Sequence, residues 1–410
     1  MAVKKKCKVK SSVKILCFLI AFLVGFYFAN SKLDIISFGN KDNNSKITNK
    51  VKKEKAKKET KKEYKLSMIM AGDALMHGYL NTDAKQADGT YNYLNQFRYV
   101  KDYVKDYDLK YWNQETIFGG TDRPYSGYPR FNTPSALGDN LIDDLGFNIV
   151  STANNHSMDQ NTSGVINSVN YWKTKDILWN GTADSEETRN NFIVKEKNNI
   201  TYGLLSYTDH TNGLPVPSDK PYLVNVWNEE QAKKDIAALR DKVDVLMVAM
   251  HWGIEYTHTP VESQRKQAKF LNEQGVDIVI GCHPHVIEPI EKIVNEETGK
   301  ETIIFYSLGN FISNQTDENT RVGLFGTLDI TKTVDKGETT ITIDNVGGEL
   351  HYTHRDLPSH RNYVVIPFSS ADIGKYLPNY KEAYEKYKNI VTQGNEEFKI
   401  VPLHEEGCTE

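Results

Sequence analysis

Ile278-Val-Ile-Gly-Cys-His-Pro-His-Val286 decides how this chain is read. A short β-branched run ends in Gly281, and two histidines, His283 and His285, follow with one proline between them. Such a run reads as a buried strand of an α/β sheet, and ligands bind just past the carboxyl ends of such strands. Pro284 fixes one φ and denies the turn a helix, so both imidazoles can point into one crevice. Neutral imidazole is the commonest metal ligand, and two on one loop suggest a site. A lone His-Pro-His can equally be an ordinary turn, so the rest of the chain has to decide.

Working outward, other strand-like runs end in residues of the same chemistry. Leu66-Ser-Met-Ile-Met-Ala-Gly-Asp73 is an apolar strand ending in Asp73, with His77 four residues on. Leu109–Glu115 ends in Asn113-Gln-Glu115, and Phe147–Thr152 runs into Ala153-Asn-Asn-His-Ser-Met-Asp159. Val243–Met250 is nearly unbroken apolar sequence and leads into His251-Trp-Gly-Ile-Glu255. Helices are expected after Pro134 and over 161–174, 228–243 and 260–274. Five strands thus end in Asp73, Glu115, Asn155-His156, His251 and His283/His285, and their loops are expected to meet at one sheet edge. Each residue alone has a plain structural explanation; five together point to a site. Carboxylate, amide and imidazole without a thiolate cluster suit Mn, Fe or Zn. Six or seven ligands exceed what one tetrahedral ion needs. Two divalent ions, about 3.5–4 Å apart, are therefore expected. Cys282, beside the histidines, reads as a small buried residue.

Beyond 286 the pattern changes to short strands near 289–294, 302–307, 324–330, 339–345 and 349–354, joined by polar or Gly-rich turns, which is antiparallel chemistry. A charged amphipathic helix is expected over 378–392. The 410 residues are 39% hydrophobic and 25% charged, as in a globular protein. The net charge of −4 hides an asymmetry: residues 1–65 carry +13 and the remainder −17. An acidic globular part argues against a nucleic-acid partner. Residues 15–29 are uncharged and almost wholly apolar behind a lysine-rich tip. That pattern predicts a membrane anchor with a cytoplasmic N-terminus and an extracellular body. A cleaved signal peptide is the competing reading, with small residues at Ala29 and Ser31. The Lys-rich stretch 31–65 reads as a solvated tether.

Gly72-Asp73, Asn113-Gln-Glu115, Ala153-Asn-Asn-His156 with Asp159, His251-Trp-Gly-Ile-Glu255-Tyr256, Gly281–Val286 and Ser307-Leu-Gly-Asn-Phe311 stand in an order that resembles the CapA/PgsA family. Those are poly-γ-glutamate capsule biosynthesis proteins with a calcineurin-like metallophosphoesterase fold, an α/β/β/α sandwich. The resemblance covers about residues 66–366. With the anchor and tether segments, the chain divides into a basic tip and anchor (1–30), linker (31–65), the CapA-like metallophosphoesterase domain that the resemblance implies (66–366) and a C-terminal helical extension (367–410). It implies that Asp73, His77 and His285 bind a first metal, that Asn155, His251 and His283 bind a second, and that Glu115 bridges them. His156 would be the general acid, oriented by Asp159. The expected setting is a membrane-bound capsule-polymer machine, with synthase membrane subunits and an anionic polymer as partners. Two alternatives accompany it: a non-catalytic polymer-binding assembly or export component, and a cell-surface phosphoesterase or nucleotidase unrelated to capsule. Arg123, Arg130 and the lysine-rich tether are candidate contacts to a polyanion.

Overall fold

The structure, a computed structural model, describes residues 61–404. Strand β1 (Lys62–Ala74) buries both of its faces: Leu66, Met68 and Met70 point one way, Ile69 and Ala71 the other. A strand of that kind has to lie inside a sheet that is covered on both sides. It does. β1 pairs in parallel with β2 (Leu109–Asn113), which continues through β3 (Ile149–Ser151) to β4 (Leu178–Asn180). On its other side β1 is antiparallel to a strand from far along the chain.

A second sheet is built by β5 (Val194–Lys197), β6 (Ile200–Thr208), β7 (Val245–His251), β8 (Ile278–Cys282), β9 (Ile290–Val294) and β10 (Glu301–Phe305), in the order 5-6-7-8-10-9. The chain then returns to the first sheet. β11 (Asn310–Ile312) joins the end of β1, and β12 (Val322–Asp335), β13 (Glu338–Asp356) and β14 (Arg361–Pro367) extend it as a meander, with β15 (Lys399–Ile400) on β13.

Met68, Met70, Tyr111 and Ile149 of the first sheet pack with Leu204, Met247, Ile278 and Ile280 of the second. The opposite face of the first sheet, Ile69, Trp112 and Val150, is covered by Val165, Val169 and Trp172 of helix Asn161–Trp172. The opposite face of the second, Leu246, Val248 and Val279, is covered by helices Glu229–Arg240 and Glu262–Glu273. The layers run helix, sheet, sheet, helix. Period-2 alternation in the strands and the 232-236-239 spacing in the first of those two helices place each side chain in its layer.

Three expectations need correction. The anchor over 15–29 and most of the linker lie outside the described residues. Within those residues no helix is long and apolar enough to cross a membrane. The structure supports an α/β domain, so the single-pass, extracellular arrangement is withdrawn. Secondly, β1 begins at Lys62, inside the expected tether, because β12 supplies backbone partners from Lys62↔Val334 onward. Thirdly, the strands expected near 339–345 and 349–354 are one, β13. Its polar interruption is absorbed by an irregularity opposite Thr327/Asp329, with Asn345 at φ 51°, rather than by a turn.

Candidate metal centre

The site residues come from both sheets, at the carboxyl ends of their parallel strands, rather than from one sheet edge. Asp73 is the penultimate residue of β1 and is wholly buried. Its Oδ1 accepts from Asn113 Nδ2 at 2.6 Å and its Oδ2 from the His283 backbone N–H at 3.1 Å. Asn113 is itself held, since its Oδ1 accepts from Ser151 Oγ at 2.5 Å. Gly72 permits the approach of β11: a Cβ there would lie 1.8 Å from the Gly309 carbonyl oxygen.

Glu115 follows β2 by two residues. Gln114 between them turns the other way, accepting from Trp112 Nε1 at 3.1 Å and donating to the Thr116 carbonyl at 2.7 Å. That leaves the Glu115 carboxylate aimed inward and wholly buried, and among the described residues neither of its oxygens has a hydrogen-bond partner. A buried, unpartnered carboxylate is costly unless a cation compensates it. Burial pushes its pKa well above the usual carboxylate range, opposed by the His285 charge.

His285 completes the group. Ligand atoms of Asp73, Glu115 and His285 lie within 4.8 Å of one another, one potential metal site built of two carboxylates and an imidazole. Its Nε2 stands 3.7 Å from Glu115 Oε1, and its Nδ1 is 3.0 Å from Asn310 Oδ1. Asn310 spends its amide N–H groups on Gln315 Oε1 and the Thr320 carbonyl, each at 2.8 Å. Its oxygen must therefore face His285, which fixes the proton on Nδ1 and frees Nε2 as a ligand. Burial alone would lower the His285 pKa; Glu115 and Asp73 outweigh it and raise it to about 9. The donor set and the orphaned Glu115 oxygens fit a divalent cation. A cluster of this kind can support metal-dependent hydrolysis.

A second convergence adjoins the first. His251 Nε2 lies 3.0 Å from Asn155 Oδ1, 3.2 Å from His283 Nδ1 and 3.8 Å from Glu115 Oε1. Burial holds the His251 pKa well below the usual range and takes His283 down to about 3, so both rings are neutral. His283 and His285 have φ of 100° and 58°, which are unusual for side-chain-bearing residues. Cross-links from Asp73 and Asn310 hold the loop there.

His156 is placed beside this group rather than in it. Its Nδ1 is 2.8 Å from Asp159 Oδ2, which also accepts the Phe131 N–H at 2.7 Å. His77 is not brought into the ligand group. Its Nδ1 lies 3.1 Å from the Leu75 carbonyl oxygen, its ring packs edge-on to Phe131, and burial lowers its pKa to about 4. His77, His156, Asp159, Glu255, Tyr256 and His285 line a common pocket of about 540 Å³, with Arg130 at its wall. Arg123 is elsewhere, paired with Asp122 at 2.8 Å. Cys282 is a buried free thiol.

Asn113 and Asn310 were not among the residues expected to act here. Each stands inside a motif that the sequence singles out, but an amide carries no sign of which oxygen it will orient.

Over residues 67–315 the chain matches the family described as "Bacterial capsule synthesis protein PGA_cap". It is 29% identical over 269 residues to the PGA biosynthesis protein CapA of Bacillus subtilis (strain 168), covering 62% of this chain and 65% of that one. It is 28% identical over 259 residues to the Capsule biosynthesis protein CapA of Bacillus anthracis, covering 61% and 60%. The chain thus spans less than two thirds of the length of these curated relatives. Among solved structures it is similar to the NAD nucleotidase NadN of Haemophilus influenzae, with a TM-score of 0.41, 10% identity and coverage of 84% and 58%. That likeness is too distant to bear on chemistry. The family match spans more than half of the chain and includes the strands that carry Asp73, Glu115, Asn155, His251, His283 and His285, so the chain belongs to the bacterial capsule synthesis family PGA_cap.

Proposed function

We propose that this chain hydrolyses phosphoesters at a divalent-metal centre in the course of capsule polymer production, in association with the biosynthesis machinery its family implies. The observation that carries the reading is the buried Asp73–Glu115–His285 group with its unpartnered Glu115 carboxylate. Glu115 Oε1 is 3.7 Å from His285 Nε2 and 3.8 Å from His251 Nε2. Asp73 and His285 would hold one divalent ion and Asn155, His251 and His283 a second, with Glu115 available to both. Bound there, divalent ions would supply charge neutralisation and a water of lowered pKa.

The chain's own groups do the rest. Asp159 fixes His156 through Nδ1, and His156 lines the pocket. A water oxygen forms the new P–O bond as the ester P–O bond breaks; His156 protonates the departing oxygen, and the proton shed by the water makes good the loss. The products are an alcohol and a phosphate. Arg130 adds a positive charge at the pocket wall.

His156→Ala is expected to keep its metal and lose about 10²–10⁴-fold in hydrolysis of bis(4-nitrophenyl) phosphate, the usual worth of general acid catalysis. His283→Ala should lose metal and activity together. Elemental analysis should find two ions per chain; one would reduce the centre to Asp73, Glu115 and His285. A second reading, a non-catalytic polymer-binding or export component, is favoured by the curated relatives' names, which speak of biosynthesis alone. It prevails if the metal-loaded wild type hydrolyses no phosphoester and His156→Ala cells make polymer normally.

A further inference from the structure

Next to the metal pocket, and sharing His77 and Tyr128 with it, lies a second cavity of about 560 Å³. Its character is different. Four tyrosines, Tyr79, Tyr91, Tyr125 and Tyr128, line it, and no carboxylate does; Lys85 is its one lysine or arginine. Tyr79 and Tyr128 are 51% and 76% exposed, well above what a buried aromatic shows, so their rings are available to a ligand. The Tyr79 ring is held from behind by stacking on His360, at 4.3 Å and 17°. The loop bearing Tyr125–Tyr128 is pinned to the start of helix Gly78–Ala84 by two glycines: a Cβ on Gly127 would lie 2.5 Å from Gly78 N. The Gly78–Gly127 side of the second cavity is thus fixed by backbone contact.

The geometry points to a carbohydrate subsite: the cavity takes the sugar ring of a phosphorylated carbohydrate whose phosphate lies in the metal pocket. This rests on the phosphoester reading above. Tyr91 and Tyr125 stand edge to face, at 5.3 Å and 82°, so they form no parallel slot for a flat nucleobase. A pyranose instead offers one apolar C–H face to a single ring and a rim of hydroxyls to neutral polar groups. Thr82, Ser126 and Asn314 supply such groups around the tyrosines. A run of carboxylates from an anionic polymer would meet only Lys85.

The test separates binding from turnover. With the full chain, ligand-observed saturation-transfer NMR is recorded for glucose 1-phosphate and, separately, AMP, while hydrolysis of methyl phosphate is assayed in parallel. Glucose 1-phosphate should bind, and Tyr79→Ala and Tyr128→Ala, both at exposed positions, should each weaken it about 2- to 10-fold. Tyr79→Phe, which keeps the ring face, should restore most of the loss. Binding of AMP with the same tyrosine dependence, and none of the sugar phosphate, would overturn the proposal in favour of a nucleobase. Sugar-phosphate binding indifferent to both alanine variants, or absent, would overturn it outright. Tyrosine-dependent sugar binding without any ester hydrolysis would instead remove the phosphoesterase reading and leave the subsite standing.

Discussion

His285 is the residue on which the centre turns. Its proton is held up to about 9 by two buried carboxylates, while His251 and His283 are kept neutral by burial. A metal bound through His285 Nε2 has to displace that proton. Affinity for Mn or Zn should therefore climb about tenfold per pH unit from neutrality to about 9 and flatten above it. Calorimetry in buffers of differing ionisation enthalpy should register net proton release from the His285–Glu115 pair; a pH-independent affinity would remove His285 from the ligand set. Asn310→Ala, which frees the His285 ring without removing a ligand, should cost about 10–100-fold in metal affinity. The Asp73–Glu115–His285 cluster was legible in outline, because carboxylates and histidines repeatedly close apolar runs. Their supports were not: Asn113 and Asn310 are defined by partners 40 and 25 positions away in the chain. His77 lies outside the Asp73–Glu115–His285 cluster, with its Nδ1 against the Leu75 carbonyl oxygen two residues back, a local contact that sequence spacing does not announce.

At the scale of one element, β13 carries Glu349 and His351 on the same buried face, both wholly shielded from solvent. Burial raises the Glu349 pKa to about 8 from 4.5, and lowers His351 to about 3 from 6.5. Both are neutral in the folded chain, and their linkage runs in opposite directions. Between pH 4.5 and 8 the unfolded chain ionises Glu349 while the folded one does not, so stability falls as pH rises. Between pH 3 and 6.5 the unfolded chain protonates His351 alone, so stability falls as pH drops. Each slope is at most about 1.4 kcal/mol per pH unit, and from 4.5 to 6.5 they cancel. Urea denaturation should show Glu349→Gln flattening the alkaline limb and His351→Leu the acid one. Parallel limbs in wild type and variants would refute the assignment. Sequence periodicity splits β13 into strands near 339–345 and 349–354 across Gly347 and Gly348; only the continuous partner β12 makes them one.

The whole molecule places Asp73 and Glu115 on the first sheet's strand ends and His285 on the second's, so a bound metal joins the two sheets. An ion that binds only the folded chain should stabilise it by about 2.7 kcal/mol at a hundredfold excess over its Kd. Thermal denaturation should rise with added Mn or Zn and fall with chelator, and Glu115→Ala should abolish the difference. Strand order was the least legible feature, because nothing near β1 announces a partner in β12: Met70 pairs with Gly326. That pairing has a consequence for synthesis. The growing chain completes β1 early, gains β2 along one edge, and leaves the other edge bare while the entire second sheet is made. At roughly 5–20 residues per second the bare edge waits about 10–50 s for β12. An open strand of Leu66, Met68 and Met70 is a template for any neighbouring chain, so nascent copies on one messenger RNA are each other's nearest hazard. A chain terminated at residue 320 should accumulate in the insoluble fraction, whereas one terminated after Asp356 should not do so through this edge.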